Sequence, residues 1–296
     1  MNPSPHPPAE PRSLSSGDRW RQAWLVVLAA TVVLFTVVAV GRPFEPQAGP
    51  PGNAAAAASP SSAPVPSPVA TTALAAPATA SPSPTPTSPF PAEGVLRLDG
   101  NFPVKGSGGF DFANERGPVA GSRGTIRRFK VAVEKGSGED VAAFAAQVRA
   151  ILSDERSWIG GGNVRMQMVA AADRADFTVY LATRETAGRM CEMGGTSIRI
   201  NGVPFTSCRA VGKAIINLDR WRGSARPYLE AGVGLAAYRQ YVINHEVGHE
   251  LGHRHEGCPK AGGPAPVMVQ QTLTLRGCVP FSWPRHNGRD LSGPRL

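Results

Sequence analysis

The stretch LAAYRQYVINHEVGHELGHRHEGC, residues 235–258, holds four of the six histidines of a 296-residue chain. Ile243, Val247 and Leu251 recur four apart and predict a helix with one buried row. On that helix His245 and His249 stand one turn apart and point the same way, so two imidazoles can share one metal ion. Glu246, beside the first of them, is placed to take a proton from a water at the metal rather than to bind the metal itself. Gly252 is expected to end the helix and allow a sharp turn that brings His255 round as the third ligand. His253 is the other candidate for that place, with an offset from Gly252 that fits less well. Core packing of satisfied histidines explains one such residue, hardly four around a glutamate. Glu250 and Glu256 read as solvated charges, and His286 as a surface residue.

Beyond the helix, Pro264-Ala265-Pro266-Val267-Met268 reads as a tight turn ending in methionine. The four cysteines include no C-x-x-C pair, so two disulfides are expected rather than a thiolate metal site. Three pairings are possible. Cys191 with Cys208 and Cys258 with Cys278 are preferred, because each closes a local loop. The first loop contains Asn201-Gly202, the strongest hairpin signal in the chain. The second ties down the segment between the third histidine and the methionine turn.

Upstream, Thr125–Glu134 (TIRRFKVAVE) alternates as a strand does. Ser137 and Asp140 then look like a capped helix start, with Val141, Phe144, Val148, Ile151 and Leu152 at helical spacing. Residues 164–170, 176–182 and 213–218 are short β-rich runs, which predicts an α+β fold with a mixed sheet backed by helices. Phe177, Val179 and Leu181 read as sheet packing in preference to a substrate-binding edge.

Toward the N-terminus the composition changes. Residues 22–41 carry no charge and are long enough to cross a hydrocarbon layer of ~30 Å. Arg12, Arg19 and Arg21 precede them and only Arg42 follows closely, which places the tail at 1–21 in the cytoplasm and the remainder outside. A cleaved signal peptide is the rival reading and exports the same part. Residues 42–93, rich in Pro, Ala, Ser and Thr, read as a disordered spacer with too few large apolar groups to offset the entropy of ordering. The domain proper is then 94–296. Net charge is +9, carried by scattered arginines with no aromatic-interleaved basic stripe, so nucleic acid is not an expected partner.

His245-Glu246-Val247-Gly248-His249-Glu250-Leu251-Gly252-His253-Arg254-His255 follows H-E-x-x-H-x-x-G-x-x-H and, with Met268 downstream, resembles the metzincin clan of zinc metallopeptidases. More narrowly, the anchor, the spacer and HEVGHELGHRHEGCP followed by APVMVQQT are similar to a zincin-like family from high-GC bacteria catalogued as a domain of unknown function, over about residues 95–290. The resemblance implies a zincin-like fold, one Zn²⁺ on His245, His249 and His255, Glu246 as general base, and Met268 as the floor of the site. It departs at Gln270, where many metzincins carry a tyrosine. That leaves His253, Arg254 or His286 as candidate helpers for an oxyanion. The expected function is hydrolysis of peptide bonds in an envelope or extracellular protein. The alternative is a zinc-stabilised binding module of the envelope without hydrolysis, and a non-peptide amide such as a wall cross-link would use the same chemistry.

Overall fold

The last four residues of TIRRFKVAVE are all buried, which places this strand inside a sheet with both of its faces covered. The computed structural model describes residues 88–296. The expected cytoplasmic tail, the membrane span at 22–41 and the spacer up to residue 87 lie outside the described residues. Among the described residues no helix is long and apolar enough to cross a membrane. Phe90, within the final residues of the expected spacer, packs against the core.

In chain order the elements are β1 (Phe110–Phe112), β2 (Thr125–Glu134), α1 (Val141–Leu152), β3 (Val164–Met168), β4 (Phe177–Ala182) and α2 (Arg184–Met193). A small hairpin of β5 (Arg199–Ile200) and β6 (Val203–Pro204) follows. Next come β7 (Cys208–Ala210), β8 (Lys213–Asn217), α3 (Leu218–Gly223), α4 (Arg226–Glu230), α5 (Leu235–Glu250) and a second hairpin, β9 (Arg285–His286) with β10 (Arg289–Asp290). The main sheet runs β1-β2-β4-β8-β7, with β3 also pairing β2. Strands β2, β3, β4 and β8 are parallel, while β1 and β7 are antiparallel to their neighbours. The fold is therefore α+β with a mixed sheet.

Helix α1 begins where expected: the Asp140 carboxylate accepts the Ala143 N–H at 2.7 Å. This cap is typically worth about 1 kcal/mol over alanine. Phe144, Val148, Ile151 and Leu152 bury their side chains against the sheet residues Phe129, Val131, Val179 and Leu181 in one core. Each such side chain contributes roughly 1.5–3 kcal/mol on leaving water. Phe177, Val179 and Leu181 lie on β4, between β2 and β8, so they are sheet packing and not a substrate edge. Asn201 and Gly202 both take positive φ, 50° and 79°, and close the β5–β6 hairpin, as a primed two-residue turn requires.

Helix α2 is unanticipated, because RETAGRMCEM has no apolar stripe. Its first turn is held from outside: Glu134, at the end of β2, accepts the Thr183 N–H at 2.7 Å and the hydroxyls of Thr183 and Thr186. Its last turn is tied by the Cys191–Cys208 disulfide, and Cys258 is joined to Cys278, as expected. Helix α5 packs on β8 and β7 with α1 and α3 beside it. Its first N–H, of Leu235, donates to Val95 O at 2.7 Å.

Candidate metal centre

Helix α5 buries Ile243 and Val247 against the core and leaves the His245 and His249 rings 4.8 Å apart on the cleft side. Gly252, at φ 95°, reverses the chain after it. The His253 N–H donates to Gly248 O and the Gly252 N–H to His249 O, the paired bonds of a Schellman termination. The turn places His255 opposite the helix. Potential ligand nitrogens of His245, His249 and His255 all lie within 4.8 Å of one another, and the Nε2 atoms of His249 and His255 are 3.2 Å apart. His253 goes elsewhere: its ring stacks on Trp158 with centroids 4.3 Å apart. Only its backbone serves the cluster.

Two of the three imidazoles are oriented by carbonyls. His245 Nδ1 donates to Val267 O at 2.8 Å, and His249 Nδ1 donates to His253 O at 2.9 Å. A carbonyl can only accept, so both rings carry their proton on Nδ1 and present a bare Nε2 to the centre. Burial, with the His249 ring nearby, pushes His245 down to about 3 against the opposing bond from Val267. Burial also lowers His249 and His255. All three are therefore neutral, the form that binds a metal. A set of imidazoles suits zinc among several transition metals.

Glu246 is buried on the same helix, and burial pushes its carboxyl up to about 8. No donor among the described residues bonds it. It lines a cleft of about 540 Å³ together with His245, His249, His255, Tyr241 and Arg209.

Met268 is buried beneath the helix. A Cβ at Gly248 would lie 2.6 Å from the Met268 Sδ and 2.6 Å from Cζ2 of Trp158. Gly248 is thus required by the close approach of methionine and indole to the turn carrying His249. After Met268 the chain is held by three buried tyrosines. Tyr241 donates to Val269 O, Tyr228 to Gln271 Oε1, and Tyr238 pairs with Thr272 Oγ1, all at 2.9–3.1 Å.

Some sequence expectations need correction. Glu250 is not solvated: its carboxylate accepts from Arg209 Nε at 2.9 Å and from the N–H groups of Gly212 and Lys213. Glu256 is half-buried and accepts the Gly293 N–H at 2.9 Å. His286 is exposed, as expected, and lines a separate cavity of about 1040 Å³ that none of the three clustered histidines borders. Of the suggested oxyanion helpers, His253 and Arg254 both line the cleft, and Arg254 bonds no carboxylate among the described residues. Gln270 lines it in the place of the tyrosine.

A family profile described as protein of unknown function, DUF3152, matches residues 96–280, more than half of the chain. The chain belongs to the DUF3152 family. No curated protein and no solved structure matches it. The DUF3152 match spans α5, the three histidines, the methionine turn and both disulfides, and it stops before the β9–β10 hairpin. Within it, sequence reasoning overlooked Asn244, Trp158 and Gln271. Asn244 accepts from Ser157 Oγ at 2.7 Å and its backbone carbonyl accepts from Trp158 Nε1. Gln271 bonds Pro266 O and Phe281 O. The one local signal among these parts was Gly248, since a glycine inside a helix forfeits ~1 kcal/mol and marks a packing need.

Proposed function

We propose that this DUF3152 chain is a zinc-dependent peptidase of zincin-like fold. It is anchored by its N-terminal segment and acts outside the cytoplasm on a protein or peptide of the envelope or exterior. The observation that carries the reading is the set of three neutral imidazoles around one point, with a buried carboxylate bonded by no donor on the adjacent residue of the same helix. His245, His249 and His255 would hold the ion. Bound zinc supplies Lewis acidity, which makes water a stronger acid and a carbonyl a better electrophile.

The chain's own groups do the rest. The Val267 and His253 carbonyls hold two imidazoles in the tautomer that leaves Nε2 free. The Glu246 carboxylate takes a proton from attacking water and returns it to the leaving amine. Burial holds that carboxyl at about 8, and a positive charge nearby acts in the opposite direction. The group therefore works near neutrality, where a general base is most effective. Met268 and Trp158, packed on Gly248, fix the turn that carries His249. A purely structural zinc site would close its fourth position with a protein ligand and need no base, whereas three histidines would leave one open and Glu246 would serve as the base.

The test is metal content of the full-length chain by elemental mass spectrometry, alongside peptide-library cleavage. One zinc per chain is expected, lost in His249→Ala. Glu246→Gln should keep the zinc and slow cleavage by about 10²–10⁴-fold. Folded protein without metal would sink the reading. Zinc with no cleavage of any peptide would instead assign an envelope-binding module.

A further inference from the structure

Resting on the hydrolytic reading, we propose that the cleft is built for acidic peptide segments, with Asp or Glu side chains flanking the bond presented to the histidines. Arg199, Arg209 and Arg254 line the cleft, and its only carboxylate is that of Glu246. An adjoining cavity of about 480 Å³ beside His249 and His255 adds Arg276 to Arg254, with Gln270 and Leu296 completing its wall. These cations come from four places: the β5–β6 hairpin, the edge strand β7, the turn between His253 and His255, and the loop closed by Cys258–Cys278.

Their bonding leaves charge to spare. Arg209 is held at Nε by Glu250, one residue past His249, which fixes it beside the second histidine with its terminal nitrogens unbonded among the described residues. Arg199 is paired with Glu192. Arg254 and Arg276 are exposed and bond no carboxylate among the described residues. Arg209 shares the cleft with His249, and Arg276 shares the adjoining cavity with His255, so both lie near the reacting position. A lysine or arginine on a bound peptide would meet like charge on several sides, and an aspartate or glutamate the reverse. The arginines are spread over two adjoining cavities, Arg199 and Arg209 in the cleft, Arg276 in its neighbour and Arg254 in both, rather than gathered into one phosphate cradle.

The test uses the full-length, zinc-loaded Glu246→Gln chain, so that binding is read without turnover. Two labelled peptides, identical except for Asp and Glu against Asn and Gln, are compared by fluorescence anisotropy. The acidic peptide should bind at least about tenfold more tightly, as a few partly screened charge pairs allow. That preference should shrink as salt rises and fall to about threefold or less in the Arg254→Gln, Arg276→Gln double variant, which leaves Arg209 in place. The salt series on the parent protein decides the matter even if the double variant fails to fold. Equal affinities, a preference insensitive to salt, or tighter binding of poly(glycerol phosphate) than of the acidic peptide would overturn the proposal. Selective binding of acidic peptides by a wild-type chain that cleaves none would support the charge preference and sink hydrolysis alone.

Discussion

Gly248 shows how much one missing side chain decides. It sits in the turn of α5 between the first two histidines, and the space a methyl group would need is taken by Met268 and Trp158. Gly248→Ala should cost about 1–3 kcal/mol, the usual range for overpacking, read as a lower urea midpoint at unchanged slope. Because the displaced groups lie under His249, the variant should also release zinc faster to a chelator, which an ordinary surface alanine would not do. That His245, His249 and His255 should meet was legible at this scale, since i, i+4 geometry, a glycine stop and the offset of His255 from it follow from the sequence. Where the His253 ring goes was not, because it depends on Trp158, 95 residues upstream, offering a face to stack on. Glu250 was misread for the same reason: its partners are on β7 and β8 and their turn, far away in sequence.

At the scale of elements, the loop that carries His255 is fixed on two sides. Cys258, three residues past His255, is joined to Cys278 on one side, and residues 293–296 run alongside on the other. The Gly257 N–H donates to Pro294 O at 2.7 Å, the Leu296 N–H to His255 O at 3.2 Å, and the Gly293 N–H to Glu256. Deleting residues 293–296 should leave the fold intact and weaken zinc binding by about tenfold or more, the scale of losing a group that orients a ligand, measured by competition with a chromogenic chelator. Strands β2, β4 and β8, helix α1 and the β5–β6 turn were readable because each carries its own periodicity, cap or turn residue. Helix α2 was not, because Glu134 and a disulfide hold it rather than its own sequence. The strap at 293–296 gave no sequence signal either, since it bonds through the N–H groups of Gly293 and Leu296 and the carbonyl of Pro294, main-chain groups with no side-chain signature.

For the whole molecule, the buried histidines and Glu246 set opposite limits on the stability of the metal-free chain. His245 is held at about 3, and His249, His253 and His255 below 6.5. The unfolded chain therefore binds more protons below 6.5, and stability falls as pH drops from there toward 3. Glu246 runs the other way: raised from 4.5 to about 8, it withdraws stability as pH climbs through that interval. Above 6.5 the histidines of the unfolded chain lose their protons while Glu246 still holds one in the fold, so metal-free stability should decline from there toward 8. Glu246→Gln should abolish the alkaline decline alone, as read from urea midpoints across pH. The chain's mechanics follow from a bond at the opposite end of α5. Val95 O accepts the Leu235 N–H, and close by the Leu98 N–H donates to Arg222 O. Tension that passes Phe90, where the chain first packs on the core, thus enters at the start of the helix, about 21 Å along its axis from His249. A pull from the N-terminal side is taken up by the helix base and α3, and the three histidines hang clear of the load.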